Sequence, residues 1–515
     1  MGSSKILKSK TSGMNAKIAQ NLVGVRQIEF DLYPLLPPFD PDKKYAEQDS
    51  DYYSGSNSVY DSVRSVLHDL KLDLENFDTM DWNPFKEFIK PGDKVVIKPN
   101  LVLDADNQEA ITTHASVIRP IVDYVWKALK GDGIIVICDA PMVEANFEEI
   151  VFRNGLKKMV EILNDRSYKI ILEDIRARKI SKANNVVIDE IIDPEKAKNA
   201  VVVDLKEMSF LDEEVVKQKK LSYGSYLRNQ IIVNHQKGKH LYQISKLILD
   251  ADVVISIPKL KTHKKSGITC CLKNLVGINV DKNYLPHFTL GPANLGGDEF
   301  PPIPIWRIPI LMVFKLARLI LLGFLRKYTA KLVSLCIGIL NKFKFKIDKE
   351  SPTGKVDTAQ RVYQLVTGTD YGGSWSGNET IWRMILDLNR IFLFADVKGN
   401  ICSEKQRKVF YIVDGFISGV KNGPLTPHII KPGIVAAGFN AAMVDKAIIE
   451  LAGIDANKIP LYREAFSDKT AWLHENLNLH IKLNGKYMDL KNIKPITILH
   501  EPKYWNYTKN RSYLI

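Results

Sequence analysis

The feature that most constrains the fold is a series of short apolar runs that alternate with stretches of helical spacing. The runs at 94–100, 133–139 and 251–258 are bounded by turn residues or proline, which is typical of buried parallel strands. Apolar residues at helical intervals predict helices over 59–72, with Ser58 as its cap, and over 115–130. Strands that alternate with helices in this way predict an α/β fold built on a parallel, doubly wound sheet.

The length of 515 residues exceeds that of one ordinary domain, so we expect two lobes and additional segments. A further apolar run at 408–413 ends in Asp414-Gly415 and begins a second stretch of α/β character. The predicted organisation is an N-terminal arm (1–58), an α/β lobe with the main motif (59–300), a basic and apolar insert (301–350), a second α/β segment that completes the core (351–457) and a C-terminal extension (458–515).

Charge and cysteine usage narrow the class of function. The net charge of +13 favours an anionic partner, but no zinc-finger, helix-turn-helix or aromatic sheet motif accompanies it, so we expect no nucleic-acid binding. No cysteine falls in a CxxC pair or a cluster-ligand run, so we expect no iron–sulfur cluster. The polar first residues resemble no secretory signal, and scattered thiols fit a reducing compartment, so we expect a cytoplasmic protein.

A candidate anion site follows from where the lysines stand. In doubly wound sheets, ligands bind beyond the carboxyl ends of the strands. The stretch 257–277 follows one strand and is predicted to be a loop that enters a helix, where basic side chains and free N–H groups attract anions. A solvated charged loop is the alternative. The predicted substrate-binding residues are Lys98, Asn100, Lys259, Lys261, Thr262, Lys273 and Asn274.

Acid/base residues are expected in the same cleft. His263 is one candidate, and Asp414 or Asp445 is the other, since a carboxylate with a raised pKa can act as a general base. An equally supported alternative is that Asp414-Gly415 builds a turn and that Asp445 anchors a helix. The predicted catalytic residues are therefore His263, Asp414 and Asp445, with both interpretations of the aspartates open.

A divalent metal is a further hypothesis. His114, His263 and His287, with a carboxylate such as Asp139, have the donor types that zinc, nickel or iron prefers. Histidines in three separate segments are more often ordinary hydrogen-bonding residues, because a metal needs its ligands in a defined geometry.

The insert has a composition of its own. Between Glu299 and Asp348 there are nine basic residues and no acidic one, interspersed with Ile, Leu, Phe and Trp. The uncharged runs at 319–325 and 332–341 are too short for the ~20 residues of a membrane-spanning helix. Residues 304–346 therefore predict an interfacial helix on an anionic membrane surface. The alternative is a helical hairpin packed on the protein or in the interface of a homo-oligomer.

The motifs taken together resemble a known family. The central string is Pro258-Lys259-x-Lys261-Thr262-His263, followed by Gly267-x-Thr269 and Lys273-Asn274-x-x-Gly277. Further elements stand in order around it: Lys98-Pro99-Asn100, Thr112-Thr113-His114, Asp139-Ala140-Pro141, Asp414-Gly415, Gly423-Pro424 and Gly433-x-x-x-Ala437-Gly438 leading to Val444-Asp445. Over about 94–453 this set resembles the domain of unknown function 362 (DUF362) family.

The resemblance implies an α/β fold and no particular activity. Some members of the family carry appended ferredoxin-type cysteine motifs, and this chain has none. From the anion site and the insert, we expect a peripherally membrane-bound enzyme that acts on a phosphate or carboxylate compound, with a lipid-linked substrate as one option. A metal- or redox-dependent oxidoreductase using the three histidines and a non-catalytic membrane-associated adaptor are the alternatives.

Overall fold

The structure is a computed structural model that describes residues 21–48, 52–53, 57–106, 108–183, 186–211, 221–222, 228–313, 315, 358–474, 478–490, 495–496 and 498–506. The strands are β1 (Leu22–Gln27), β2 (Lys94–Pro99), β3 (Ile134–Asp139), β4 (Ile170–Asp174), β5 (Arg178–Ala183), β6 (Val186–Ile192), β7 (Ala200–Asp204), β8 (Leu221–Ser222), β9 (His235–Gln236), β10 (Lys239–Ser245), β11 (Val253–Ile257), β12 (Lys259–His263), β13 (Gly267–Thr269), β14 (Phe288–Thr289), β15 (Lys408–Val420), β16 (His428–Ile430), β17 (Ile434–Gly438), β18 (His480–Leu483) and β19 (Lys486–Tyr487). The α-helices are Ser58–Asp69, Ala115–Leu129, Phe147–Arg153, Leu156–Asp165, Pro194–Lys198, Arg228–Asn234, Lys246–Leu249, Cys271–Asn274, Thr358–Thr367, Ile381–Phe394, Ala441–Leu451 and Pro460–Ala465.

A large, mixed central sheet organises the described residues and confirms the α/β class. Its strand order is β19-β18-β1-β17-β15-β11-β2-β3-β4, with β12, β13 and β16 attached at one end of β15. The run from β15 through β11, β2 and β3 to β4 is parallel throughout. The strands predicted from the three apolar runs are thus parallel neighbours, and their carboxyl ends open on one edge of the sheet.

Both faces of the sheet are covered, as alternating side chains along β2 show. Val95 and Ile97 face one apolar layer, which includes residues of the helices Ser58–Asp69 and Ala115–Leu129. Val96 faces the other layer, with residues of Ile381–Phe394 and Ala441–Leu451. Burial on both faces explains why these strands are continuously apolar.

Two segments that the sequence placed outside the core contribute strands to the sheet. Strand β1 lies in the predicted arm, and it pairs antiparallel with β17 and parallel with β18, which lies in the predicted extension. Leu22, Val23 and Val25 are buried there. The two-lobed division and its remaining boundaries stay predictions.

Local details also differ from the predictions. Asn57, and not Ser58, caps the first helix, because its side chain accepts from the Tyr60 N–H. Strand β15 continues seven residues beyond the predicted end, to Val420, so Asp414 lies within a strand and not in a turn. The predicted loop after β11 is itself a strand, β12, which pairs with β15 and β13 before a helix of only four residues.

Of the predicted insert, residues 301–313 and 315 are described, and the rest of 304–346 lies outside the described residues. Ile305, Trp306, Met312 and Val313 are largely exposed. Leu311 is buried in a small cluster with Phe300, Ile303, Tyr363 and Val366. No helix among the described residues is both long and apolar enough to cross a membrane.

Candidate functional site

A cavity of about 530 Å³ lies at the carboxyl ends of β2 and β3, beside β12 and the helix Cys271–Asn274. Its size is that of a small-molecule site. Its described lining is strongly cationic. The lysines that line it are Lys98, Lys261, Lys264, Lys265, Lys273 and Lys282, and the acidic residues are Asp139, Glu144 and Asp370.

Lys98 and Asp139, at the ends of neighbouring strands, form a buried ion pair. The Lys98 Nζ lies 2.8 Å from Asp139 Oδ1, and Asp139 also accepts from the backbone N–H of Leu101 at 2.6 Å. Gly277 covers the pair so closely that a Cβ there would lie 2.0 Å from Asp139 Oδ1. Asp139 therefore neutralises the charge of Lys98 and holds its side chain in place.

Lys261 is held by neutral oxygens. Its Nζ donates to Asn100 Oδ1 at 3.3 Å and to the carbonyl of Ile111 at 2.5 Å. Burial, and then the charges of Lys259 and Lys273, hold the pKa of Lys261 well below its ordinary value. Asn274 is fixed by donating to Ser256 Oγ and the Lys98 carbonyl, at 2.9 and 3.2 Å. This part of the cavity is preorganised before any ligand binds.

Lys265 and Lys273 differ from these lysines because neither ammonium group donates to an acceptor among the described residues. The Lys265 Nζ lies over the Phe288 ring, 5.3 Å from its centroid. Burial lowers the pKa of Lys265 to about 8. Burial, and then the charges of Lys265 and Lys98, lower the pKa of Lys273 to about 7. These two side chains are the ones that an anion could still engage.

Two histidines line the cavity in different hydrogen-bonding states. His263 Nδ1 accepts from the backbone N–H groups of Lys265 and Ser266, at 3.1 and 3.3 Å, so the neutral ring carries its proton on Nε2. His287 Nδ1 faces the Leu285 carbonyl at 3.1 Å, so its proton is on Nδ1. Burial, and then Lys273, keep the pKa of both rings well below the ordinary value. The neutral His263 ring is therefore better suited to the role of hydrogen-bond donor than to the predicted role of general base.

The three histidines predicted as metal ligands are not gathered. His114 caps its helix, with Nδ1 accepting from the Ser116 N–H, and its ring stacks on Tyr33 with centroids 4.2 Å apart. It does not line the cavity. In the described part of the chain, the one group of three or more candidate ligands within 4.8 Å is Cys270, Cys271 and Asp445, so the predicted set is not assembled.

Lys259 and Asp414 do not line the cavity, contrary to their predicted roles. Both are fully buried, with Lys259 Nζ 3.2 Å from Asp414 Oδ2. Tyr33 donates to Asp414 Oδ1 and accepts from Lys259 at 2.6 Å, and the backbone N–H of His114 donates to Asp414 Oδ2 at 2.9 Å. The pairing of β12 with β15 shifts in register between Lys259 and Lys261, and only Lys261 lines the cavity. This network is structural.

Asp445 and Thr262 also lie away from the cavity. Asp445 accepts from the backbone N–H groups of Cys271 and Leu272, at 2.7 and 3.2 Å, and so anchors the short helix that carries Lys273. Thr262 is fully buried, and its carbonyl lies where a Cβ on Gly423 would be only 1.9 Å away. Of the predicted catalytic residues, the cavity therefore contains His263 alone.

Lys265, Thr269 and Lys282 are among the cavity residues that have no role predicted from the sequence. Lys265 and Thr269 lie within the central motif, and Thr269 Oγ1 is buried without a hydrogen-bond partner among the described residues. Lys282 donates to the carbonyls of Ala140, Val276 and Asn279 at 2.9 to 3.3 Å. The motif itself could have indicated the first two. Nothing in the local sequence separates Lys282 from a surface lysine.

Comparisons with known proteins place the chain without naming an activity. A family model described as "Domain of unknown function (DUF362)" matches residues 95–203 and 197–450, which is more than half of the chain. No curated protein matches. A crystal structure of a Thermotoga maritima protein is 11% identical with a TM-score of 0.28, and the match covers 75% of this chain and 57% of that one. The chain thus spans less than two thirds of that protein.

Proposed function

We propose a function for this chain, which belongs to the DUF362 family, from the chemistry of its cavity: it is an enzyme that binds a small phosphate or carboxylate compound at the strand ends. One observation carries the proposal. Lys265 and Lys273 line the cavity, and neither ammonium group meets an acceptor among the described residues. Their positions, beside a preorganised set of hydrogen-bond donors, fit an anion as the missing partner.

The charge balance of the cavity supports an anionic ligand. Asp139 neutralises Lys98, and Asp370 neutralises Lys264 at 2.5 Å. Lys261, Lys265 and Lys273 form no ion pair within the described residues, although the charges of Glu299 and Asp298 act on Lys265 from a longer distance. Burying an ammonium group without a counter-ion is unfavourable, and the lowered pKa of Lys273, about 7, is a consequence of that cost. A bound anion beside Lys265 would provide the missing counter-ion.

Two neutral histidines favour an enzyme over a simple binding protein. His263 offers an N–H through Nε2, and His287 holds its proton on Nδ1, towards the Leu285 carbonyl. A cavity that contains neutral imidazoles, one of them a donor, and amines with near-neutral pKa values has the groups that proton transfer requires.

We also propose that the protein is cytoplasmic and associates with an anionic membrane surface. The described start of the insert exposes Ile305, Trp306, Met312 and Val313, and Trp306 is 63% exposed. Buried Leu311 of the same segment lies in one cluster with Tyr363, which also lines the cavity. A membrane-bound insert would therefore lie near the cavity, which supports a lipid-linked substrate as one option.

Lys265→Met tests the anion site. We expect the parent protein to bind inorganic phosphate or oxalate in a calorimetric titration, and the variant to bind about ten- to a hundredfold more weakly, since a charge-assisted hydrogen bond is worth about 1.5–3 kcal/mol. Lys408→Met is the matched control, because exposed Lys408 begins β15 at the opposite edge of the sheet. Absence of binding by the parent, or equal weakening in the control, would contradict the proposal and favour an adaptor.

A further inference from the structure

We propose that Lys273 is a nucleophilic amine that forms a Schiff base with a carbonyl group of the bound compound. The inference rests on the proposed function, because the anionic group of that compound would position its carbonyl carbon. It narrows the substrate class to aldehydes or ketones that carry a nearby carboxylate or phosphate.

The geometry around Lys273 singles it out from the other lysines of the cavity. A lysine is a nucleophile only when its amine is neutral and its lone pair is not held in a fixed network. Lys273 is only 9% exposed, yet its Nζ has no hydrogen-bond acceptor in the described parts of the chain. It borders a cavity large enough for a small molecule.

Lys282 provides an internal comparison. It lines the same cavity, and burial lowers its pKa to about 7, the same value as that of Lys273. Its Nζ, however, donates to the carbonyls of Ala140, Val276 and Asn279. An amine held by three carbonyls cannot turn its lone pair towards a substrate. The two lysines therefore have the same lowered pKa, but only the Lys273 amine is unrestrained enough to turn towards a substrate.

The surroundings of Lys273 keep a reactive fraction of the amine available. With a pKa of about 7, roughly half of the Lys273 side chains are neutral at neutral pH, whereas an ordinary lysine is almost fully protonated. The cationic neighbour Lys265 contributes to this shift. Lys265 would also pair with the carboxylate or phosphate of the substrate. Lys265 would then bind the anion, and Lys273 would act as the nucleophile.

The step balances without an oxidant or a metal. The neutral Nζ of Lys273 forms a bond to the carbonyl carbon, and the carbonyl oxygen takes up a proton to give a carbinolamine. The carbon–oxygen bond then breaks, and water leaves with both hydrogens of the original amine, which gives a carbon–nitrogen double bond. His263 Nε2–H can donate a hydrogen bond to the oxygen as negative charge develops on it, and needs no charged imidazole for this.

Reductive trapping with glyoxylate tests the inference, because this probe combines an aldehyde with a carboxylate. We expect cyanoborohydride to fix a carboxymethyl group on Lys273 of the folded full-length protein, at least ~10-fold faster than on Lys282, as read by peptide mass spectrometry. Inorganic phosphate should slow the labelling by competing for the anionic position. Lys273→Arg removes the primary amine and should abolish the fast, phosphate-sensitive labelling, while Lys282 and the exposed lysines are labelled as slowly as in the parent. Lys273→Met provides a second variant if the arginine is not accommodated.

The outcomes separate the two proposals. If phosphate binds but glyoxylate labels Lys282 or exposed lysines as fast as Lys273, the Schiff-base inference is wrong and the anion site stands. If phosphate neither binds nor slows the labelling of Lys273, the anion site is wrong while a reactive lysine remains. Equal labelling of all lysines without phosphate binding would overturn both.

Discussion

The buried lysines in and beside the cavity have quite different roles because their partners differ. Lys98 and Lys259 are buried and paired with Asp139 and Asp414, respectively. Lys261 is buried against neutral oxygens, and Lys273 has no acceptor in the described structure. Pairing, and not burial, therefore distinguishes a structural lysine from a candidate functional one.

Lys259→Met is expected to destabilise the fold. The substitution leaves the Asp414 carboxylate buried with neutral donors alone, and breaking a buried ion pair costs about 3–5 kcal/mol. Denaturant unfolding of the variant should show a loss of that order. The double variant Lys259→Met with Asp414→Asn should recover part of it, because no uncompensated charge remains. A loss below about 1 kcal/mol in the single variant would contradict a structural role for the pair.

The strand-end rule predicted the place of the site from particular residues, but not every role. Five of the seven residues predicted to bind substrate line the cavity: Lys98, Asn100, Lys261, Lys273 and Asn274. Lys259 and Thr262 do not, although they share β12 with Lys261 and His263. Thr262 alternates with those two residues along the strand, and a register shift against β15 separates Lys259 from Lys261. The sequence predicts that the strand ends before Asp414, because a charge interrupts the apolar run. The buried partners that accommodate this charge inside β15, Tyr33 and Lys259, are distant from it in sequence.

Elements of the parallel core could be predicted because their signal is local. Buried on both faces, β2, β3 and β11 are mostly apolar, and turn residues or proline bound them. Strands β1 and β18 could not be predicted in the same way. They pair with each other across more than 450 residues, and neither is joined to its partner by a crossover helix whose pattern would reveal it.

Deleting residues 316–346 tests the predicted membrane element. Leu311 and its small cluster are left in place, so we expect a folded protein with a melting temperature close to that of the parent. The deletion removes seven basic residues, and binding to vesicles containing anionic lipid should be lost. Vesicles of neutral lipid serve as the control for the parent.

Two results of that experiment would count against the membrane proposal. The first is a parent protein that does not sediment with anionic vesicles. The second is a deletion variant that unfolds, since the segment would then belong to the core or to a protein interface.

At the scale of the whole molecule, part of the positive charge lies in one cavity at one edge of the central sheet. The net charge of +13 could not by itself distinguish nucleic acid, lipid and small anions. The fold adds the position of that charge, because lysines from β2, β12 and the short helix after β13 line a single cavity. The chain's own carboxylates compensate only part of that charge, and this is the basis of the proposed function.

Proton uptake on anion binding tests this account most directly. Burial lowers the pKa of Lys265 to about 8, and a bound anion that pairs with its ammonium group would raise that pKa. The complex would therefore hold more protons than the free protein, so affinity is full below about pH 8 and falls as pH rises through the pKa of Lys265.

The measurement is a calorimetric titration with sulfate, which does not itself titrate in this range, in two buffers of different ionisation enthalpy at about pH 8, the pKa of Lys265. We predict net proton uptake, and an affinity that decreases at higher pH. Lys265→Met should reduce the uptake, and Lys408→Met should not change it. Sulfate binding without proton uptake and with a flat pH profile, or no binding at any pH, would contradict the central claim that these lysines form an anion site.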